Sequence, residues 1–112
     1  MHKLRFYKTS SGREVGLDFI RSLDALERKV IGENLRAVEI GFPMGLPLCR
    51  NLGGGLWEVR STLPSKREAR LIFFHANAQR TLVVVHAFIK KTRKTPDNDL
   101  RLAAARKREL ES

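Results

Sequence analysis

Apolar residues recur every three or four positions between residues 19 and 38, which predicts two α-helices forming an antiparallel hairpin. The tetrapeptide at 11–14, Ser-Gly-Arg-Glu, has the form of a capping box and predicts the start of the first helix. Asp24 followed by Glu27 repeats that arrangement and predicts the start of the second. Two glycines and two prolines then end the helix, so residues 41–55 are predicted to form a loop.

The spacing of apolar residues then changes to every second position, which predicts β-strands. Residues 56–62 alternate as a half-buried strand, and residues 69–75 and 82–89 form two further strands joined by a polar connection. The strand at 82–89 is apolar on both faces, which favours an interior position in the sheet. Residues 3–7 are predicted to add a fourth strand at the sheet edge.

A last helix is predicted from Pro96 to about Leu110, with Thr95 as its N-cap and Pro96 in its first turn. The order of elements predicts a single α+β domain over residues 1–112. In that domain the N-terminal helical hairpin and the C-terminal helix cover one face of a small, mainly antiparallel sheet.

The charge of the chain indicates a polyanionic partner. Its 112 residues include 22 Lys and Arg against 12 Asp and Glu, which gives a formal net charge of +10 and a pI near 10.7. A hydrophobic fraction of 42% is too high for a disordered basic tail, so we expect the chain to fold.

The sequence indicates neither a stabilising cross-link, such as a disulfide or a zinc site, nor a membrane anchor. Cys49 is alone and cannot form an internal disulfide, and no Cys/His quartet is available for zinc, so we expect neither a metal nor a cofactor. No apolar run approaches the ~20 residues that span a bilayer, and no secretory signal is evident, so we expect a cytoplasmic protein.

Two arginines mark a candidate phosphate site. Arg60 and Arg70 alternate away from the large apolar residues of their strands, and pairing of those strands would place them side by side on an exposed face. Like charges brought together in this way favour a shared anion. Lys90 and Lys91 end the neighbouring strand and are expected to join them. Further cations are expected to contact an RNA backbone without taking part in chemistry: Lys66, Arg67, Arg93 and Lys94.

Two histidines lie inside apolar strands. His75 is expected to be a packed core residue. For His86, which shares its strand face with Phe88 and Lys90, two interpretations stay open. It either packs in the core or moves the 2′-hydroxyl proton during RNA cleavage. The three glycines at 53–55 lack the Lys-Ser or Lys-Thr of a phosphate loop and are expected to provide a flexible entry into a strand.

Three motifs occur in an order that resembles a known superfamily. GLWEVR at 55–60, ARLIF at 69–73 and HAFIKK at 86–91, followed by Lys94 and Pro96, are similar to the RelE/ParE toxins and most similar to their phage-derived, HigB-like branch. This resemblance implies a toxin of a type II toxin-antitoxin pair that cuts mRNA on the ribosome without a metal. It also implies a small antitoxin, often carrying a helix-turn-helix.

The resemblance also implies roles for individual residues. Arg60, Arg70 and either Lys90 or Lys91 match positions where the family uses cations on the scissile phosphate. RelE-type enzymes use a tyrosine near the C-terminus for proton transfer, whereas the only tyrosine here is Tyr7. His86, or a cation with an unusual pKa, is then left for that step. A ParE-like inhibitor of DNA gyrase and a non-catalytic nucleic-acid-binding module are the alternatives.

Overall fold

The computed structural model describes residues 1–112, apart from the side chain of Asn77. The elements, in chain order, are β1 (Lys3–Phe6), α1 (Val15–Arg21), α2 (Ala25–Gly41), β2 (Cys49–Gly53), β3 (Leu56–Thr62), β4 (Glu68–Ala76), β5 (Thr81–Lys90) and α3 (Asp97–Glu111). Three helices and a five-stranded mixed sheet confirm the predicted α+β class.

The strands lie in the order β1-β5-β4-β3-β2, and every neighbouring pair is antiparallel except β1 with β5. The edge position of β1 and the interior position of β5 are confirmed. The prediction of a loop throughout 41–55 is wrong, because Cys49–Gly53 pairs with β3. This short strand carries Arg, Asn and Gly and therefore gave no alternation. Gly53, Gly54 and Gly55 all have positive φ, so they form the tight turn between β2 and β3.

Helices pack on both faces of the sheet, so the prediction that they cover one face is wrong. On one face, Ile31 and Val38 of α2 pack with Leu71 and Phe73 of β4. On the other face, Ala103 of α3 belongs to a second apolar cluster with residues of β4 and β5. Strand β4 is buried on both sides over most of its length, and this requires two covering layers.

The helix starts follow the predicted caps only in part. At α2, Asp24 accepts the N–H of Glu27 at 2.9 Å and the capping box is confirmed. The first capping box is wrong, because α1 begins at Val15 and no side chain caps it. Helix α3 begins at Asp97, and its N-cap is Pro96 rather than Thr95, whose hydroxyl is used elsewhere.

Among the described residues, no helix combines the length and the apolar character needed to cross a membrane.

Candidate anion-binding site

Strand register places three cations on one sheet face. Arg60 lies directly opposite Arg70 across the β3–β4 pair, which confirms the predicted pairing. On β5, Phe88 pairs with Arg70, and Lys90, two residues further along the strand, pairs with Glu68. Because side chains alternate along strands, these cations all belong to the face that α3 covers in part.

Arg70 is buried, so the prediction that it lies on an exposed face is wrong. Only 3% of its side chain is accessible. Its Nη1 donates to Glu68 Oε1 at 3.3 Å, and its Nε lies 3.7 Å from Glu58 Oε1. Carboxylates on the two flanking strand positions therefore stabilise the guanidinium inside the sheet layer, where a lone charge would be costly. The result is an arginine with a fixed orientation.

Glu58 is a member of the site that the sequence analysis did not single out. It is fully buried, and the Thr95 hydroxyl donates to its Oε2 at 2.9 Å. Its parity with Arg60 was visible in the sequence, but the face that they share was expected to be solvated. The sequence did place a carboxylate, Glu58, on the same strand face as Arg60 and next to Arg70, and this pattern could have indicated a buried ion pair.

Lys90 is partly buried among these groups. Loss of hydration and repulsion by Arg70 lower the pKa of Lys90, and the nearby Glu58 offsets part of this effect. Arg60 and Arg50 lower it further. Arg50 joins the group because it pairs with Glu58 from β2, the strand that the sequence did not predict. We refer to Arg50, Arg60, Arg70 and Lys90 as the cation cluster.

The remaining predicted cations lie on two connections, one between β5 and α3 and the other between β3 and β4. Lys91, Arg93 and Lys94 are exposed on the connection between β5 and α3, and Lys94 shares a cleft of about 230 Å³ with Arg50. Lys66 is exposed in the β3–β4 turn. Arg67, in the same turn, is already paired, because its Nη2 lies 2.9 Å from Glu27 of α2.

The model of one protein family matches residues 18–108, the family described as phage-derived protein Gp49-like (DUF891). The chain belongs to this family. The Gp49-like family is a RelE-like toxin family and is associated with the toxins of toxin-antitoxin systems. The observed α+β arrangement is consistent with a RelE-like fold. No curated protein matches the chain.

The Gp49-like region contains the entire cation cluster, but the structure does not bring His86 into it. His86 Nε2 lies 2.6 Å from Asp99 Oδ1 of α3, and the ring stacks on Phe88. His86 and Lys90 are four positions apart on β5, a distance of about 13 Å along an extended strand. The imidazole therefore joins α3 to the sheet, and its hydrogen-bond partner is Asp99 of α3 rather than a member of the cation cluster.

Tyr7 is also engaged away from the cluster. Its hydroxyl donates to Glu109 Oε2 of α3 at 2.6 Å, and this hydrogen bond, together with burial, raises the pKa of Tyr7. The Arg106 guanidinium lies over the Tyr7 ring, 5.0 Å from its centroid. His75, as predicted, is packed, with its ring 5.3 Å from that of Phe42.

The arrangement is suited to a single polyanionic group. Arg60 is only partly buried and faces the cluster from β3, while the buried Arg70 is held by two carboxylates and adds a fixed positive charge behind it. Preorganised donors of this kind stabilise charge that develops on phosphate oxygens. A lysine with a lowered pKa beside them transfers a proton more readily than an ordinary lysine.

Proposed function

We propose that this chain is the toxin of a type II toxin-antitoxin pair, of the HigB-like kind, and that it cleaves mRNA on the ribosome. Membership of the Gp49-like family supports the toxin assignment. The observation that carries the ribonuclease assignment is the convergence of Arg60, Arg70 and Lys90 on one sheet face, with the pKa of Lys90 lowered. Its cognate antitoxin, a small protein with a helix-turn-helix, holds the toxin inactive in the cytoplasm.

In the proposed reaction, the 2′-hydroxyl oxygen attacks the adjacent phosphorus and the bond from phosphorus to the 5′-oxygen breaks. The products are a 2′,3′-cyclic phosphate and a free 5′-hydroxyl. Arg60 binds the phosphate oxygens as negative charge develops on them, and the buried Arg70 adds its positive charge from within the sheet layer. One such preorganised donor is worth roughly 2.7 to 4 kcal/mol of transition-state stabilisation.

Lys90 is the proposed general acid. Its ammonium group gives a proton to the departing 5′-oxygen, while the proton of the 2′-hydroxyl passes to solvent. A general acid contributes about 10² to 10⁴ in rate, and its lowered pKa brings Lys90 nearer to the operating pH. Lys91 is exposed and lies just beyond the end of β5, so we assign it to electrostatic contacts.

The ribosome is the proposed source of substrate alignment. Correct alignment of two reacting groups supplies up to roughly 7 to 11 kcal/mol, which explains how a site with few catalytic groups would suffice. Exposed cations then contact the RNA backbone and make binding dependent on salt: Lys66, Lys91, Arg93 and Lys94. Arg67 would contribute as well, although Glu27 neutralises part of its charge.

The test compares cluster variants with a matched control. Arg60→Ala removes a partly buried cation, whereas Lys29→Ala removes an exposed cation from α2, on the other side of the sheet. Arg70→Ala is unsuitable, because it leaves Glu58 buried without its partner. We expect Arg60→Ala and Lys90→Met to abolish growth arrest and mRNA cleavage, and Lys29→Ala to retain both, with circular dichroism unchanged in all three.

A folded Arg60→Ala variant that still cleaves mRNA and arrests growth would contradict the proposal. Growth arrest with intact mRNA and loss of gyrase supercoiling activity would favour the ParE-like alternative.

A further inference from the structure

A cleft of about 500 Å³ opens beside Arg60, at the sheet edge where β2 begins. Its size lies within the ~300 to 1,000 Å³ of small-ligand pockets. It lies between α2, the segment preceding β2 and the end of β3. The lining residues are Asn34, Leu46, Pro47, Leu48, Arg60, Thr62 and Glu68.

The edge of β3 presents free backbone groups to this cleft. The N–H of Arg60 donates outward to the Leu48 carbonyl at 2.8 Å, whereas the N–H of Leu63 donates to Arg67, in the turn that leads into β4, at 2.9 Å. Hydrogen-bonding direction alternates along an antiparallel strand, so the N–H and C=O of Thr62 point outward with those of Arg60. Strand β2 pairs with β3 only as far as Val59, and no strand covers Thr62 on that side.

The walls of the cleft combine apolar surface with hydrogen-bond acceptors. Leu46 is 63% exposed although it is a large apolar residue, and Pro47 and Leu48 continue the same wall. On the opposite side, Asn34 uses its Nδ2 to donate to Ser61 Oγ at 2.7 Å, which leaves its carbonyl oxygen as an acceptor. The Glu68 carboxylate accepts from the Thr62 hydroxyl at 2.8 Å and from Arg70 Nη1 at 3.3 Å, and the second lone pairs of its oxygens add further acceptor capacity.

We propose that this cleft binds the base of the nucleotide whose phosphate rests on Arg60, an inference that rests on the proposed function. A nucleotide joins an anion to a flat heteroaromatic ring, and here a cation adjoins an apolar wall with a polar edge. Arg60 is taken up by the phosphate, and the other polar side chains of the cleft offer mainly acceptors, so bases with an exocyclic amino group, namely adenine, cytosine and guanine, are preferred over uracil. The cleft thus gives the cleavage reaction its base preference.

Binding is tested with 2′-deoxynucleoside 3′-monophosphates of the four bases, followed by amide NMR shifts of the labelled full chain. Inorganic phosphate is the control probe. We expect phosphate to shift amides near Arg60 alone, and the three amino-bearing nucleotides also to shift Asn34, Leu48 and Thr62. Those nucleotides should bind about 10-fold more tightly than phosphate, and the uracil nucleotide about as weakly as phosphate.

A matched pair of surface variants isolates the cleft wall. Leu46→Ser removes exposed apolar surface at the cleft. Ile40→Ser is the control, because Ile40 is also a large apolar residue, 59% exposed, but does not line the cleft. Leu46→Ser should weaken nucleotide binding about fivefold, leave phosphate binding unchanged and flatten the base preference of mRNA cleavage. Ile40→Ser should change none of these.

The outcomes separate this inference from the proposed function. If Arg60→Ala abolishes cleavage while Leu46→Ser keeps the wild-type base preference and nucleotide affinity, the cleft is not the base site and the ribonuclease assignment stands. If amino-bearing nucleotides shift the cleft amides but wild-type protein cleaves no RNA, the base site stands and the ribonuclease assignment fails. Equal shifts from phosphate and all nucleotides would overturn the base site.

Discussion

Substitution of Glu58 by Gln tests the buried ion pair on which the geometry of the cation cluster depends. The amide keeps the size of the side chain and still accepts a hydrogen bond from Thr95, but it carries no charge. Arg70 would then remain buried, with Arg60 and Lys90 nearby and without its most buried counter-charge.

The size of the stability loss depends on the counter-charge that Arg70 keeps in the Glu58→Gln variant. Breaking a fully buried ion pair costs about 3 to 5 kcal/mol, because a charge is left uncompensated. Arg70 would keep the Glu68 carboxylate at 3.3 Å, but the Glu68 side chain is 39% exposed and therefore partly screened. We expect the lower end, about 3 kcal/mol of lost unfolding free energy, or a melting temperature about 12 °C lower in a domain of this size.

Urea unfolding followed by circular dichroism measures this loss, with Glu33→Gln as a control, because Glu33 is exposed on α2. Arg70→Met should also destabilise the protein, since it leaves Glu58 unpaired. The double variant should lose at least 1.5 kcal/mol less than the sum of the two single losses, because no charge is then left alone. A Glu58→Gln variant within about 1 kcal/mol of wild type, or additive losses in the cycle, would refute a buried pair.

Four other measurements probe separate features of the molecule. Hydrogen bonds from Ser65 and Arg67 lower the pKa of Glu27 to about 2, below its ordinary 4.5. The contribution of Glu27 to the unfolding free energy is therefore present above pH 4.5 and lost as the pH falls towards 2. Thermal melts of a Glu27→Gln variant over this pH range should not show that loss of stability. A His86→Gln variant should melt earlier than wild type yet keep its cleavage rate per folded molecule, and a rate lowered 100-fold or more would instead make His86 catalytic. Burial raises the pKa of Cys49 to about 11, so its thiol should react with a thiol reagent only after unfolding, and rapid labelling of native protein would contradict the buried position. Association with the antitoxin should slow as salt increases, given the net charge of +10, and a rate independent of salt would mean that apolar contacts alone drive recognition.

The strands and helices were predictable where one physical signal dominated. Alternation located β3, apolar runs of strand length located β4 and β5, and the reciprocal cap at Asp24 located the start of α2. The short strand β2 escaped because its pairing is fixed by the hairpin turn with β3 rather than by its own pattern. At residues 9–14 the hydroxyl of Thr9 accepts the N–H of Arg13 at 3.1 Å, so a local turn replaced the expected capping box.

Three of the four cations in the cluster were predictable from the sequence, whereas Arg50, Glu58 and the burial of the site were not. Strand parity was enough to bring Arg60 next to Arg70, and chain position was enough to bring Lys90 nearby. Burial of Arg70 depends on α3 covering the second sheet face and on Glu58 as its partner, and both are tertiary features. Asp99 of the same helix forms a hydrogen bond with His86, and the position of His86 in the alternation of β5 could not indicate this contact.

Single-turnover cleavage of mRNA on purified ribosomes tests the central claim most directly, with the 3′ ends of the products identified chemically. The account predicts 2′,3′-cyclic phosphate ends from wild-type protein and from Lys29→Ala. It also predicts rates lowered about 100-fold or more for Arg60→Ala and Lys90→Met at equal folded concentration. Intact mRNA with wild-type protein, or undiminished cleavage by the Arg60→Ala and Lys90→Met variants, would contradict the cation cluster as the ribonuclease site.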